Sequence, residues 1–488
     1  MPAFNIHFNA KKIGLLTGPL LFIGMILWQP VEGLSADAHK VMAVALWMIS
    51  WWISEAVPIA ATALLPIILF PMLEVMPVNE ATTPYGNQVI FLFMGGFLIA
   101  LAMEKHKLHE RIALNLIKVT GTSGNGIILG FMLATGFLSM WISNTAAAIM
   151  MLPIAVSVID LLKSIPRHEK VESKFEKNFA LALMLCIAYA ANIGGIATII
   201  GTPPNVVFKG LYLSFYGKEI DFARWLLLGL PVSLFLLANA YWLTTRVLFP
   251  NKMKSIPGAS ALLQAKLNTL GQLSQEEKKV LIIFSLTAFC WIFQQLINEV
   301  LDKKILNDTN IAMAGGLLMF VVPAQFKKNE ALLNWESTKN LPWGILLLFG
   351  GGLSLAKGLE STGVINWIGQ SIADNSNMHL FALILVLTTL MLFLTELMSN
   401  VALTTIYVPV VFGIANSLEL NPVLLGIPVT LAASCAFMFP ISTPPNAIVF
   451  ASGHIRMRDM IKAGILMNIS SVIIIVLISI TVLNWLLN

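Results

Sequence analysis

Two short polar motifs each occur twice in this chain, and all four copies lie within apolar sequence. Residues 143–145 read Ser-Asn-Thr and residues 399–401 read Ser-Asn-Val, which is an offset of 256 residues (399 − 143). Thr-Pro-Pro-Asn occurs at 202–205 and again at 443–446, which is an offset of 241 residues (443 − 202). The sequence therefore predicts two copies of one structural unit, each of which places the same polar groups among apolar helices.

The composition places these copies in a membrane. The chain is 57% hydrophobic and only 11% charged, with a mean hydropathy of +0.82, whereas soluble proteins carry about 25% charged residues. A spanning helix needs about 17–25 residues, so the apolar stretches predict about ten to twelve crossings. A β-barrel would instead alternate in hydrophobicity over about 10 residues. We therefore expect an all-α polytopic membrane protein with about 11 transmembrane helices.

Other functional classes lack their signatures in this sequence. No paired-Asp motif, HExxH or GxSxG in a suitable context indicates an enzyme, and a channel would need a continuous polar lining. Cys186, Cys290 and Cys435 are far apart in apolar segments and lack CxxC spacing, so they are expected to be core residues. The net charge of +5 does not indicate nucleic-acid binding, because the basic residues fall in short loops.

The repeated motifs interrupt apolar runs. Pro203-Pro204 and Pro444-Pro445 lack amide hydrogens and cannot continue a helix, so the runs that lead to them must break. Each Ser-Asn motif likewise splits one apolar run into two. Broken helices at membrane depth are tolerated only where their backbone is buried in protein or lines a cavity. The four breaks therefore predict one shared cavity.

The offset of 256 also aligns two glycine-containing apolar segments, in which Gly95 and Gly96 correspond to Gly351 and Gly352. Glycine in the middle of such a segment weakens a helix. Each segment is therefore expected to form a re-entrant hairpin or a kinked span, and close helix packing through small residues is the alternative.

Loop charge indicates that the copies are inverted. The loop around 417–422, after the second Ser-Asn motif, has no Lys or Arg, whereas the loop after the first has five. These are Lys163, Arg167, Lys170, Lys174 and Lys177. If Lys and Arg mark the cytoplasm, equivalent loops lie on opposite faces. Lys209 and Lys218, taken as loop charges, weaken this assignment, and Arg456 and Arg458 support it.

The chain is expected to have four parts. Residues 1–80 would be N-terminal helices of a scaffold. Residues 81–245 would be repeat 1 and residues 282–488 repeat 2, each with a glycine-broken hairpin and both polar motifs. Residues 246–281 would be a polar linker of cytoplasmic and interfacial helices. The N-terminus and this linker are expected on the cytoplasmic side.

A Ser-Asn motif at a helix break can contact two kinds of ion. The half-helix that follows, from Ala146 or Ala402, presents free N–H groups and the positive end of its dipole to an anion such as a carboxylate. The Ser and Asn oxygens, with carbonyls freed at the break, suit a hard cation such as Na⁺. Two related motifs would hold the two charged groups of a dicarboxylate. Alternatively, Ser and Asn only satisfy hydrogen bonds between packed helices.

The chain resembles the divalent anion/sodium symporter family, the dicarboxylate and citrate transporters, and especially its sodium-coupled branch. Both Ser-Asn motifs, both Thr-Pro-Pro-Asn motifs and the stretches 395–401 and 439–450 carry the resemblance, which covers essentially the whole chain. It implies an inverted-repeat homodimer in the lipid bilayer, with a fixed scaffold and a transport domain that moves as an elevator.

The resemblance also implies which residues form the sites. The substrate contacts would be Ser143, Asn144, Thr145, Thr202, Ser399, Asn400, Val401, Thr443 and Pro444. The first sodium site would use Ser139, Ser143, Asn144 and Gly201. The second would use Thr395, Met398 (through its backbone carbonyl), Asn400 and Ser442.

Several residues depart from a symmetric arrangement. Val401 lacks the hydroxyl of Thr145, and the bulky Met398 stands where a small residue is expected. Glu396 lies within an apolar run, where an acid is costly, and it is expected either to take part in coupling or to be a buried hydrogen-bond partner. His106 and His109 have a spacing compatible with a metal, but no further ligand joins them, so we expect a solvated loop.

The function expected from these features is secondary active transport. The chain would import C4-dicarboxylates (succinate, malate or fumarate) or related di- and tricarboxylates together with Na⁺, in the plasma membrane, as in a bacterial inner membrane. The alternatives are a dicarboxylate exchanger that does not use sodium and a sodium/sulfate symporter.

Overall fold

The computed structural model describes residues 6–29, 33–164, 172–325, 330–375 and 378–487. In the first half, the helices are α1 Ile6–Leu27, α2 Ala36–Ser54, α3 Ile59–Thr62, α4 Leu65–Met72, α5 Val78–Thr82, α6 Gln88–Lys105, α7 Leu108–Val119, α8 Gly124–Ser139, α9 Asn144–Ser164, α10 Glu172–Ile196, α11 Pro203–Tyr216 and α12 Phe222–Trp242.

The second half continues this pattern. Its helices are α13 Ala259–Thr269, α14 Gln275–Val300, α15 Asp308–Val321, α16 Trp343–Ser361, α17 Val364–Asn375, α18 Leu380–Thr395, α19 Asn400–Ser417, α20 Pro422–Ala433, α21 Pro444–Ala451 and α22 Met457–Leu487. Short 3₁₀ turns at Thr83–Gly86 and Trp335–Asn340, a π-helical turn at Leu243–Leu248, and an antiparallel pair of strands, β1 Pro323–Gln325 and β2 Glu330–Ala331, complete the described elements.

Seven helical stretches in the described ranges are long and apolar enough to cross a membrane. They are Val78–Lys105, Asn144–Leu162, Lys174–Ile196, Phe222–Leu248, Gln275–Val300, Asn400–Ser417 and Met457–Thr481. Shorter apolar helices lie between them, and α8, α18 and α20 each end at a motif break. The predicted class, a mostly helical protein with several apolar helices, is confirmed.

The repeat is visible in the helix bounds themselves. Adding 256 to both bounds of α7 gives the bounds of α17, and adding 256 to both bounds of α8 gives the bounds of α18. All four bounds agree to the residue. The start of α9 at Asn144 likewise corresponds to the start of α19 at Asn400. The two copies therefore share local structure as well as motifs.

The prediction of a glycine-broken hairpin in each copy is wrong, and that of a kinked span stays a prediction. α6 and α16 run through their glycines without interruption. A Cβ on Gly95 would lie 2.5 Å from the backbone of Ala312 in α15, and a Cβ on Gly351 would lie 2.1 Å from the carbonyl oxygen of Ala63. The glycines therefore allow two helix backbones to touch, which is the alternative that the sequence left open.

The chain reverses at the Ser-Asn motifs instead. The amide of Gly124, at the start of α8, donates to Met253 O at 2.9 Å, and Leu161 near the end of α9 packs against Gly258. Two helices of this length in line would hold these ends about 50 Å apart, which residues 253–258 cannot span. In the second copy, Tyr407 Oη donates to Leu387 O at 3.3 Å, so α19 folds back along α18.

The two copies pack reciprocally. α11 of the first copy packs on α19 of the second, and α21 of the second packs on α9 of the first. In the first contact, the rings of Phe208 and Phe412 lie 5.9 Å apart, and Tyr216 Oη donates to Asn416 Oδ1 at 2.9 Å. α10 lies at the centre, and its apolar stretch is buried throughout. The helices that follow each motif are therefore held by the other copy.

The interpretation of Lys209 as a loop residue is wrong. Lys209 lies within α11, almost fully buried, and forms an ion pair with Asp308 of α15. Gln294 Nε2 donates to the other carboxylate oxygen of Asp308 at 2.9 Å. Lys209 therefore carries no information about orientation, and one objection to the inverted arrangement disappears.

Two of the loop charges used for orientation, Arg167 and Lys170, lie outside the described residues. Lys174 and Lys177 belong to the first turns of α10, where both are exposed. The linker contains one complete helix, α13, and the sequence from Gln275 onward already belongs to α14.

Candidate functional site

The first break occupies residues 197–202, between the end of α10 and the start of α11. Pro203 has no N–H to offer to the carbonyls of the preceding turn. Other groups satisfy them: Ser233 Oγ donates to Ile193 O at 3.0 Å, and Trp225 Nε1 donates to Ile196 O at 3.1 Å. Side chains of α12 therefore hold the end of α10 in a defined conformation.

Oxygen atoms converge beside this break. One end of the Asn144 side-chain amide lies 2.7 Å from Ser139 Oγ and 3.2 Å from the carbonyl oxygens of both Gly201 and Ala191. With its nitrogen in that position, the two amide hydrogens can be donated among these three oxygens. With its oxygen there, four oxygens face one another, and the single hydroxyl proton of Ser139 cannot satisfy them, whereas a hard cation can.

Three of the four residues predicted for the first sodium site thus lie together, because Ser139 and Gly201 both contact Asn144. Gly195 permits this approach, since a Cβ there would lie 2.7 Å from Asn144 Oδ1 and 2.9 Å from Gly201 O. The fourth residue, Ser143, precedes Asn144 directly and has a separate role in the helix that follows.

Both Ser-Asn motifs cap a helix N-terminus. Ser143 Oγ accepts from the amide of Ala146 at 3.2 Å, and Ser399 Oγ accepts from the amide of Ala402 at 3.5 Å. A capping serine satisfies only one of the free N–H groups in the first turn. The N-termini of α9 and α19 can therefore still donate to an anion. Thr145 is half-buried beside the first of these ends, and Val401 is buried beside the second.

The second break, at residues 434–443, is organised by Glu396. This side chain is 1% exposed. Its Oε1 accepts from the backbone amides of Phe437 at 2.7 Å and Met438 at 2.9 Å, and its Oε2 accepts from Ser442 Oγ at 2.6 Å. Asn468 Nδ2 of α22 donates to Oε1 at 2.7 Å. Every one of these contacts donates a hydrogen to the carboxylate, so the site suits a negative charge.

The four residues predicted for the second sodium site contact one another less than those predicted for the first. Thr395 Oγ1 donates to Ala433 O at 3.0 Å, and Ser442 Oγ contacts both the backbone and the carboxylate of Glu396. Met398 and Asn400 are half-buried, and the described hydrogen bonds do not link their side chains to Thr395 or Ser442. Thr395 and Ser442 are therefore both buried at the second break, whereas Met398 and Asn400 are more accessible.

The two breaks meet across the copies. Asn192 Nδ2 of α10 donates to Thr443 Oγ1 at 3.0 Å, and Thr202 Oγ1 lies 3.4 Å from Ser434 Oγ. All four side chains are buried. The predicted substrate residues Thr202 and Thr443 thus connect the copies in this conformation, while Pro444 is exposed. The two proline breaks therefore lie against each other, whereas the cavity predicted to be shared by all four breaks stays a prediction.

Sequence reasoning missed three asparagines at the breaks. Asn205 and Asn446, the last residues of the Thr-Pro-Pro-Asn motifs, are buried and donate to carbonyls of their own breaks. Their repetition at the 241-residue offset was a signal that could have identified them. Asn192 had no such signal, because its equivalent position at this offset is Ala433.

His106 and His109 do not converge on one point. His106 Nε2 lies 2.9 Å from Leu332 O, and His109 Nδ1 lies 2.9 Å from Met103 O. His109 is buried, so the expectation of a solvated loop was wrong for it. Among the described residues, no group of three or more His, Cys, Asp or Glu side chains could hold a metal ion.

Together, the two copies of the broken-helix motifs and the apolar helices around them define a repeat-built membrane protein. Residues 10–488 match the family described as the sodium:sulfate symporter transmembrane region. The chain belongs to this family.

Two named relatives are similar over nearly the full length. A protein of Staphylococcus saprophyticus named sodium-dependent dicarboxylate transporter SdcS is 43% identical over 478 residues, which cover 97% of this chain and 92% of the relative. A Staphylococcus aureus protein of the same name is 41% identical over 470 residues, covering 96% of this chain and 90% of the relative.

Among solved structures, the Alcanivorax borkumensis YdaH transporter has a similar fold, with a TM-score of 0.61 at 12% sequence identity. The match covers 92% of this chain and 98% of that one. At this identity, the likeness concerns the fold alone.

Proposed function

We propose that this protein is a secondary active transporter that imports C4-dicarboxylates, such as succinate, malate or fumarate, together with Na⁺. The observation that carries this proposal is the Asn144 position. Asn144 contacts Ser139 Oγ and the carbonyls of Ala191 and Gly201 through its side chain, and it is also the first residue of α9. One residue therefore touches both a cation-compatible oxygen cluster and an anion-compatible helix end. The similarity to named sodium-dependent dicarboxylate transporters supports the same conclusion.

The substrate would lie between the N-termini of α9 and α19, with Ser143–Thr145 and Ser399–Val401 around its two carboxylates. The asymmetry of Thr145 and Val401 gives one carboxylate an extra hydroxyl donor. The first Na⁺ would use Ser139, Ser143, Asn144 and Gly201. The second would use Thr395, Met398, Asn400 and Ser442, with Glu396 as a nearby fixed charge that favours a cation.

The α8–α9 and α18–α19 pairs would be re-entrant hairpins in this mechanism. The broken helices would move together as a transport domain against a scaffold that includes residues 1–80, in a homodimer, by an elevator motion. Residues 1–80, 81–245, 246–281 and 282–488 would form the four parts of the chain, and the N-terminus and linker would face the cytoplasm. The reciprocal packing of α9, α11, α19 and α21 supports the movement of these helices as one unit.

The test is uptake of labelled succinate by purified protein in liposomes, with and without an inward Na⁺ gradient. We expect uptake to require Na⁺ and to stop in Asn144→Ala and Asn400→Ala variants that purify as folded protein. Succinate uptake that ignores Na⁺ and depends on internal succinate would show an exchanger instead. Uptake of labelled sulfate, but not of succinate, would show a sulfate symporter.

A further inference from the structure

The two asparagines that end the Thr-Pro-Pro-Asn motifs share two equivalent hydrogen bonds, and Asn205 also donates to Ile196 O at 3.4 Å. Asn205 Nδ2 donates to Gly195 O at 3.3 Å and to Thr198 O at 2.8 Å. Asn446 Nδ2 donates to Ala436 O at 3.0 Å and to Phe439 O at 3.1 Å. Gly195 and Thr198 become Ala436 and Phe439 on adding 241. The breaks thus share a three-dimensional hydrogen-bonding pattern as well as a sequence motif.

This pattern explains how a break keeps its shape without helical hydrogen bonds. The prolines that start α11 and α21 cannot donate to the carbonyls before them, so the preceding backbone has acceptors without helical donors. A side-chain amide offers two N–H donors, and each asparagine, which follows its proline pair, donates them to carbonyls that precede the pair. The amide therefore acts as a clamp across the break.

The clamp lies next to the oxygen cluster of the first copy. The carbonyl of Gly195 accepts a hydrogen bond from Asn205. A Cβ on Gly195 would touch both Asn144 Oδ1 and Gly201 O, so Gly195 lies against these two oxygens. A small rotation of the Gly195 peptide would therefore change the distance between these two oxygens. A hard cation requires its oxygen ligands at about 2.3–2.6 Å, so its affinity depends on that distance.

The oxygen of each asparagine supports a ligand-related role. Oδ1 of Asn205 and Oδ1 of Asn446 are both buried, and neither accepts a hydrogen bond among the described residues. A buried acceptor without a donor is costly, and its occurrence at the same place in both copies calls for a common cause. A cation near each break would be such a common cause, because a cation stabilises an oxygen atom that accepts no hydrogen bond.

We propose that Asn205 and Asn446 are positioning residues for cation binding, each of which fixes the carbonyls of its break so that the nearby oxygens fit Na⁺. This inference rests on the proposed function. It predicts that the two residues set the Na⁺ dependence of transport more strongly than they set the affinity for the dicarboxylate at saturating Na⁺.

The experiment compares Asn205→Leu and Asn446→Leu, which remove the amide donors at similar size and without adding charge. The control is Asn239→Leu, which removes another inter-helix amide, the one that donates to Ser470 Oγ at 2.7 Å. The first measurement is the melting temperature of each purified protein over a series of NaCl concentrations, with choline chloride holding the ionic strength constant. The second is labelled succinate uptake in liposomes over the same series.

We expect the Na⁺ concentration for half-maximal stabilisation to rise about tenfold in Asn205→Leu and Asn446→Leu, as for the loss of a buried hydrogen-bonded group, and to stay unchanged in Asn239→Leu. Uptake should show the same shift, with a KM for succinate near that of the wild type at saturating Na⁺. The stabilisation measurement decides the question even for a variant that does not transport.

Unchanged Na⁺ midpoints in both variants, with only a lower melting temperature in the absence of Na⁺, would show a purely structural role and overturn the proposal. If one variant does not fold, the other decides the outcome. A wild-type protein that responds to Na⁺ in neither assay would overturn the proposed function instead.

Discussion

At the residue scale, Glu396 is the charge that gives the second copy its distinct character. The equivalent position in the first copy, at the offset of 256, is Met140. The carboxylate accepts hydrogens from two backbone amides, a serine and an asparagine, and a third amide, that of Phe439, lies 3.3 Å from Oε2. The two breaks are therefore stabilised in different ways, because the second break has a buried anion and the first break does not.

Glu396→Gln should weaken both folding and cation binding. Its NH₂ group would face a backbone amide or a donor side chain, so at least one hydrogen bond becomes a repulsion, and hydrogen bonds to charged groups contribute about 1.5–3 kcal/mol each. We expect a lower melting temperature and a higher Na⁺ requirement in succinate uptake. Glu419→Gln, an exposed substitution, should change neither. An unaltered Na⁺ requirement would show that this charge does not contribute to cation binding.

The sequence predicted that Glu396 is functional or buried, but it did not predict which residues contact it. An acid within an apolar run signals a functional or buried partner, and Glu396 is one. Its partners could not be predicted, because they come from residues 437–442 and from Asn468, which reach Glu396 only through the folding of the second break and of α22. The same holds for Asn192, whose role depends on contact with the other copy.

At the scale of elements, the glycines of α6 and α16 show why a sequence pattern can mislead. A glycine lowers helix propensity, but contact with a second backbone outweighs that cost when the pair of helices buries enough surface. Sequence alone gave no means of identifying α15 as the partner of α6. By contrast, the proline breaks were predictable, because the missing N–H is a property of the residue itself and needs no partner.

Gly95→Ala should separate α6 from α15. Its Cβ would lie 2.5 Å from two backbone atoms of Ala312, which no side-chain rotation can relieve, and overpacking of this kind costs about 1–3 kcal/mol. We expect a clear fall in the melting temperature of the purified protein. The matched control is Gly24→Ala in α1, where a Cβ meets nothing within 4 Å, and its melting temperature should be unchanged or slightly higher. Equal values for both variants would contradict the packing role.

At the scale of the whole molecule, the Lys209–Asp308 ion pair joins the first copy to α15, a helix of the second copy. Both side chains are 2% exposed. A buried pair is costly to assemble but much more costly to break, because removal of one partner leaves a charge without compensation. The pair therefore fixes the relation between α11 and α15 strongly.

Lys209→Met should lower the free energy of unfolding by about 3–5 kcal/mol, because Asp308 remains buried without its cation. The double variant Lys209→Met, Asp308→Leu should regain much of that loss. Melting temperatures of the wild type, both single variants and the double variant form a complete cycle. Additive losses in the double variant would contradict the coupling of the two residues.

The orientation of the copies is a property of the whole molecule, and loop charge predicts it. Lys174, after the first hairpin, and Glu419, after the second, are both exposed and should lie on opposite sides of the membrane. Lys174→Cys and Glu419→Cys, each in a background with Cys290 replaced by Ser, should therefore react with a membrane-impermeant thiol reagent from opposite faces of a sealed vesicle. Labelling of both from the same face would rule out inverted repeats.

The reciprocal packing of α11 on α19 and of α21 on α9 has a consequence for biosynthesis. The ribosome releases α9 and α11 long before their partners exist, so the first half must wait in the bilayer without the helices that pack on α9 and α11. Neither half can reach its final structure as an independent folding unit. Maturation of this chain is therefore a late event, completed only once its C-terminal helices have entered the membrane.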